Sequence, residues 1–142
     1  MQRQEYVFSE MVCFSLYATS NAMIREYRPP LEKLDLTYPQ FLVMMALWNK
    51  DGVFIKTLSE QIFLDAGTLT PVLKRLEKKG LLQRTKSPMD ERAKVITLTK
   101  SGQSLRNKTS HIFKDMECRV KLNKLEQEQI TAICNKILSR LS

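Results

Sequence analysis

The chain has 142 residues, 43% of them hydrophobic, and a formal charge of +8 at neutral pH. That size suits one domain with a real core, or a small domain carrying dimerisation helices, and the apolar content excludes a wholly disordered chain. The positive balance points to a polyanion, with a membrane surface as the other partner that charge alone permits.

No apolar run approaches the roughly 20 residues that span a bilayer. The N-terminus lacks the short apolar block and small-residue cleavage site of a secretory signal, so the cytoplasm is the default location. Cys13, Cys118 and Cys134 are too few and too scattered for a disulfide framework. With a single histidine, His111, they also make a tetrahedral zinc site within one chain a poor reading. No cofactor or metal is expected. Composition does not separate inert thiols from a redox-active one.

In chain order, residues 1–6 read as a loose end. Val7, Met11, Phe14, Ala18 and Ala22 recur at helical spacing and predict a first helix to about Tyr27, limited or bent by Pro29 and Pro30. Cys13 and Tyr17 share a face of it. Tyr27 lies too far along to be their neighbour in the same helix, and reaches them only through folding or from a partner subunit. Thr37 and Pro39 mark the start of a second helix, with Phe41, Met44, Met45 and Trp48 facing inward. Asn49 to Gly52 ends it, and Val53-Phe54-Ile55 reads as a short edge strand.

A short helix is predicted over 57–64, burying Leu58, Ile62 and Phe63. After the turn Asp65-Ala66-Gly67, a helix over 68–79 carries Leu69, Leu73 and Leu76 on one face. Its other face carries Thr68, Thr70, Lys74, Arg75 and Lys78. Asp65 or Thr68 caps its start, Pro71 falls in its first turn, and Gly80 stops it. Two strands, 81–87 and 93–98, flank the polar tip Pro88-Met89-Asp90-Glu91-Arg92. From Thr68 to Lys94 there are eight Lys or Arg against three acids, a local balance of +5.

Helix, turn, helix and basic ribbon make a winged helix-turn-helix, whose second helix fits the DNA major groove. Candidate DNA contacts are Thr68, Thr70, Lys74 and Arg75 on the helix, with Arg84, Lys86 and Lys94 at phosphates. Arg92 is the wing-tip contact, unless Asp90 holds it in an ion pair. The plain alternative is a surface helix and hairpin with solvated charges.

Thr99 predicts a cap for a long helix carrying Leu105, Ile112 and Met116, broken at Asn123. Leu125, Ile130, Ile133, Ile137 and Leu141 mark a last amphipathic helix, in whose apolar rhythm Cys134 falls. The fold class is mainly α with a small β wing. One domain over 1–142 would hold a DNA-binding region at 36–99 and dimerisation helices at 7–30 and 100–142. Such helical ends call for a mate, so a symmetric homodimer on a palindromic operator is expected.

The order of these elements resembles the MarR-type bacterial regulators, and Asp90-Glu91-Arg92 matches their D-x-R wing signature. The blocks Cys13-Phe14-Ser15-Leu16-Tyr17, Leu36-Thr37-Tyr38-Pro39-Gln40-Phe41 and Leu64 to Arg75 look like the organic hydroperoxide-sensing subfamily, OhrR. The resemblance covers nearly the whole chain, with one departure, Ala66 in place of the usual serine.

It implies a homodimeric repressor released from double-stranded operator DNA by organic hydroperoxide. Cys13 matches the sensing cysteine, Tyr27 and Tyr38 match the tyrosines that hydrogen-bond to it, and Tyr17 matches a further pocket aromatic. In the one-cysteine class an external low-molecular-weight thiol completes the chemistry; in the two-cysteine class a resolving cysteine forms an intersubunit disulfide. Cys118 fits the resolving position.

Two related readings stay open. One is a broader thiol-based regulator of oxidative stress or virulence, and the other a MarR-type repressor responding to a phenolic or drug ligand, in which Cys13 is incidental. A peroxide-consuming enzyme is disfavoured, because one histidine and no acid–base constellation accompany the cysteines. A structural DNA-binding protein would lack both a preferred palindrome and a redox response.

Overall fold

A computed structural model describes residues 3–142. It comprises two compact units, one extending through Ser110 and the other His111–Ser142. Residues 1 and 2 of the expected loose end lie outside the described residues, and 3–7 carry no regular structure.

In the first unit a single 3-10 turn, Phe8–Glu10, precedes helix α1, Val12–Glu32. The helix runs through Pro29 and Pro30, past the end predicted near Tyr27. Both prolines sit close to its C-terminus, where their fixed φ is helical and few backbone bonds remain to lose. Leu31, 1% exposed, anchors that last turn, and its carbonyl accepts the N–H groups of Leu34 and Leu36, each at 3.0 Å. No residue of α1 before Leu31 is buried.

Helix α2, Tyr38–Asn49, begins where Thr37 predicts. The Thr37 hydroxyl accepts the Gln40 N–H at 3.4 Å and the Gln40 side chain accepts the Thr37 N–H at 3.1 Å, a reciprocal capping box. Phe41, Val43, Met44 and Leu47 are at most 1% exposed, so this helix is the hub of the core. Met45 and Trp48 are only half-buried.

Strand β1, Val53–Phe54, leads into α3, Ile55–Ile62, two residues earlier than predicted. Phe63 takes the left-handed conformation, φ 56°, and is 62% exposed rather than buried, because this turn throws its ring outward. The Ser59 hydroxyl donates to the Leu64 carbonyl and closes the turn. Helix α4 spans Ala66–Lys78, with Asp65 as its cap. Pro71 therefore lies in the second turn, not the first.

Gly80, φ +75°, ends α4: its N–H reaches the Glu77 carbonyl at 2.9 Å and the Leu81 N–H reaches Leu76 at 3.1 Å. This is a Schellman stop, which needs the left-handed residue that glycine supplies without strain. Strands β2, Leu82–Lys86, and β3, Lys94–Leu98, pair antiparallel, and β1 joins the other edge of β3, giving the order β1-β3-β2.

Thr99 caps α5, Lys100–Leu105. The single long helix expected here is interrupted by a 3-10 turn at Arg106–Lys108, where the buried Thr109 hydroxyl bonds back to the Arg106 carbonyl at 2.8 Å. A side chain competing for the helix carbonyls explains the break. Gly102 is required by packing: a Cβ there would stand 2.0 Å from the Leu81 carbonyl oxygen. The Gly102 carbonyl accepts the Trp48 indole N–H at 2.8 Å, tying α5 to α2.

Helix α6, Ser110–Val120, leads into the second unit, where α7 occupies Lys124–Leu141. Asn123 is the break predicted, acting as the cap of α7 in a second capping box with Glu126. No residue of α7 is buried, although Leu125, Ile130, Ile133 and Leu141 are apolar. Among the described residues no helix is long and apolar enough to cross a membrane.

Candidate nucleic-acid interface and cysteine sites

Leu69, Leu73 and Leu76, each 0% exposed, fix which side of α4 looks outward. Helical spacing then puts Thr68, Pro71, Lys74, Arg75 and Lys78 on the opposite side, and all are exposed. At the N-terminus the Asp65 carboxylate accepts the Thr68 N–H at 2.6 Å. That bond holds its pKa below the ordinary carboxylate value. Thr70 is half-buried and its hydroxyl donates to the Ala66 carbonyl at 2.8 Å, so its proton is already engaged within the helix.

The ribbon sets further cations beside the helix. Lys86 and Lys94 are exposed and directly paired across β2 and β3. Like charges at such positions repel, and an anion between or above them relieves the repulsion. At the tip, the Asp90 carboxylate accepts the Arg92 backbone N–H at 3.0 Å and the Asp90 carbonyl accepts the Ala93 N–H at 3.1 Å. Asp90 thus shapes the turn, and among the described residues Arg92 has no ion pair with it.

Arg84 departs from the phosphate contact expected of it. Its Nε lies 3.1 Å from Glu77 Oε2 and its side chain is only 17% exposed. The same carboxylate accepts the Arg84 backbone N–H at 3.1 Å, so Glu77 clamps β2 to α4. The hydrogen bond from the Arg84 side chain leads the causes that lower the Glu77 pKa. Lys79 is similarly engaged, on Asp35 and Gln40. Among the described residues, the six other cations between Thr68 and Lys94 form no ion pair.

All three cysteines are free. Cys13 is exposed in the first turn of α1, and the ring of the adjoining Phe14 packs on Phe8 with centroids 5.1 Å apart. Tyr17, one turn later, is 66% exposed. Tyr27 packs instead on Tyr38, at 5.1 Å between centroids, and on Phe41 at 6.4 Å. Burial raises the pKa of both phenols, with Tyr38 adding to the effect on Tyr27, so both keep their protons at neutral pH. Neither hydroxyl has a hydrogen-bond partner among the described residues.

Cys13 and Tyr27 lie fourteen residues apart on one continuous helix. At 1.5 Å per residue that is roughly 21 Å, so Cys13 does not meet the tyrosine pair of its own chain. In the second unit Cys118 is exposed on α6, and Cys134 is half-buried on α7. A cleft of about 250 Å³ lies between the end of α1 and the start of α2, lined by Ile24, Arg28, Leu31 and Tyr38 among others. No cluster of three His, Cys, Asp or Glu suited to a metal ion occurs among the described residues.

Comparison with known proteins agrees with this geometry. Residues 25–109 match the family of transcriptional regulators SarA/Rot. The organic hydroperoxide resistance transcriptional regulator of Bacillus subtilis is 46% identical over 101 residues, 71% of this chain and 69% of that protein. The HTH-type transcriptional regulator SarZ of Staphylococcus haemolyticus is 44% identical over 121 residues, 82% of each chain. Among solved structures, AbfR of Staphylococcus epidermidis, bound to DNA in reduced form, superposes with a TM-score of 0.77 at 29% identity, covering 94% of this chain and 93% of its own. The overoxidised AbfR, also bound to DNA, gives the same TM-score and identity over 94% of both chains. A winged helix with an outward cationic face, in a chain this similar to such proteins, belongs to the SarA/Rot transcriptional regulators, of the MarR winged-helix type.

Proposed function

We propose that the chain is a redox-sensing repressor that binds a palindromic operator as a homodimer and releases it when organic hydroperoxide oxidises Cys13. The observation that carries the reading is the separation along α1. An exposed cysteine and two protonated tyrosines, whose hydroxyls have no partner among the described residues, lie roughly 21 Å apart in one chain, and the proposed symmetric pair of chains would bring them together. The exposed apolar residues of α1 and α7 supply surface for that pairing.

For DNA, Thr68, Lys74 and Arg75 meet the major groove, with Lys78 on the same face. Lys86 and Lys94 sit at phosphates and Arg92 at the minor groove. Thr70 contributes through its methyl or its remaining acceptor capacity. Arg84 serves the reading surface indirectly, by holding the wing against α4 through Glu77.

In the chemistry, the Cys13 thiolate attacks the outer oxygen of the hydroperoxide. An S–O bond forms, the O–O bond breaks, and the alkoxide leaves with a proton as an alcohol; sulfur is oxidised by two electrons to the sulfenic acid. Tyr27 and Tyr38 of the second copy donate hydrogen bonds to thiolate and peroxide, while Phe8, Phe14 and Tyr17 favour an alkyl over a hydrogen substituent. The Cys118 thiol then displaces water from the sulfenic acid to give an intersubunit disulfide. Disulfide geometry, with Cα atoms within about 7 Å, moves backbone where a lone sulfenic acid does not. The overoxidised AbfR is bound to DNA, which supports the cross-link as the releasing event here.

Treating the reduced protein with one equivalent of organic hydroperoxide per subunit tests this. A Cys13–Cys118 covalent dimer, read by intact mass, is expected together with operator release. Cys118→Ser should bind the operator and lose the cross-link; an unchanged cross-link in that variant excludes Cys118. The second reading, a repressor that responds to a phenolic small molecule, draws on the cleft beside Arg28 and Tyr38. It requires an aromatic ligand to release DNA while Cys13 stays reduced.

A further inference from the structure

Lys79 closes α4, and its side chain leaves the DNA face altogether. Its ammonium donates to the Asp35 carbonyl and, at 3.0 Å, to Gln40 Oε1, and stands 3.5 Å from the Asp35 carboxylate. Two of the three ammonium donors are engaged in hydrogen bonds and the charge faces a carboxylate, which turns this lysine away from phosphate.

The two acceptors differ: the Asp35 side chain is 89% exposed, whereas Gln40 is buried. Asp35 is in the left-handed conformation, φ 54°, and forms the corner between α1 and α2. Gln40 is 3% exposed, and its side-chain oxygen also accepts the Thr37 N–H at 3.1 Å, completing the α2 cap. One buried amide oxygen therefore holds both the start of α2 and the end of the reading helix. Tyr38 is the first residue of α2, adjoining Thr37, and packs on Tyr27.

We propose that Lys79 is a positioning residue that transmits the placement of the Tyr27–Tyr38 corner to the reading helix, through Gln40 and Asp35. The proposal rests on the redox reading above. When Cys13 chemistry displaces the tyrosines, the first turn of α2 moves with Tyr38, the Gln40 oxygen and the Asp35 corner follow, and α4 is drawn by its C-terminal end. Two elements joined by hydrogen bonds to one buried side chain move together more readily than two in apolar contact alone. A lysine kept only to complement the helix dipole would need neither Gln40 nor Asp35.

Lys79→Met, which keeps most of the aliphatic stem and removes the donors, tests this in the full-length protein. Operator affinity is measured reduced and oxidised, across a range of salt. The variant should bind in the reduced state with the wild-type salt slope, and its loss of affinity on oxidation should be smaller by roughly 2- to 30-fold. Gln40→Glu, which preserves both acceptor roles, should keep the wild-type ratio.

A salt slope lower by about one phosphate contact would make Lys79 a DNA ligand and overturn the proposal. So would an oxidation response in Lys79→Met equal to wild type. If wild type itself holds the operator unchanged when oxidised, the redox reading fails and the proposal with it; failure confined to the variant removes the proposal alone. Lys79→Leu, also without a donor, is read in the same way if Lys79→Met does not fold.

Discussion

The reading region and the long helices obey opposite rules. Between Leu36 and Thr99 the apolar side chains are largely covered by their own chain, and the exposed surface of α4 is hydroxyl and cation. In α1 before Leu31, and throughout α7, nothing is buried and many of the apolar residues are exposed. One region is covered by its own chain; the other leaves apolar surface uncovered. In the proposed homodimer the DNA surface would stay intact while the spacing between two such surfaces is set by the long helices.

The contrast is sharpened most by Leu73→Ala. Removing a side chain that is 0% exposed at the centre of α4 should lower unfolding stability by about 2–5 kcal/mol, read by urea denaturation. A much smaller loss would mean that the reading helix is not fastened by its own core. Ile133→Ser, on a side chain 58% exposed, should change the stability of a dilute monomeric chain by less than about 0.5 kcal/mol. The same change should weaken self-association in sedimentation equilibrium. Equal assembly of variant and wild type would break the comparison, because α7 would then have no mate.

Acid should act on the reading region more gently. Hydrogen bonds to the Thr68 N–H and to Arg84 hold Asp65 and Glu77 below their ordinary pKa values. A depressed carboxylate contributes stability above its unfolded value, and that contribution is lost as pH falls through the folded one. Below about pH 4 the start of α4 and its clasp on the wing should therefore loosen. Amide exchange at Thr68 and Arg84 would show it; protection unchanged down to pH 3 would refute it. Asp65 is exposed and the Glu77 side chain is 39% exposed, so the effect is small.

Much of this was legible in the residues because local chemistry decides it. Thr37, Asp65, Gly80, Thr99 and Asn123 mark caps and stops by donor and acceptor rules that operate within a few residues. The leucine rhythm of α4 names its buried face and therefore its free one. The misses have tertiary causes. Nothing near Arg84 in sequence announces that Glu77 will hold it, although seven residues and one Schellman turn bring them together. Pro29 and Pro30 look like a helix end until Leu31 is seen buried beyond them. The Lys79 contacts join residues 35, 40 and 79, and the visible signal was only the glutamine three places after Thr37. The resemblance supplied the roles of Cys13, Tyr27 and Tyr38, and periodicity showed that they are not neighbours within one helix.

Pro71, in the second turn of α4, has a consequence that reaches beyond the folded state. Lacking an N–H, it leaves the Gly67 carbonyl without its helical partner, at an exposed position where water can take the bond. Its ring also confines φ to the helical range before any tertiary contact exists, which narrows the denatured ensemble by an amount worth about 0.4–1 kcal/mol. The segment that reads DNA thus begins folding with part of its backbone entropy already removed.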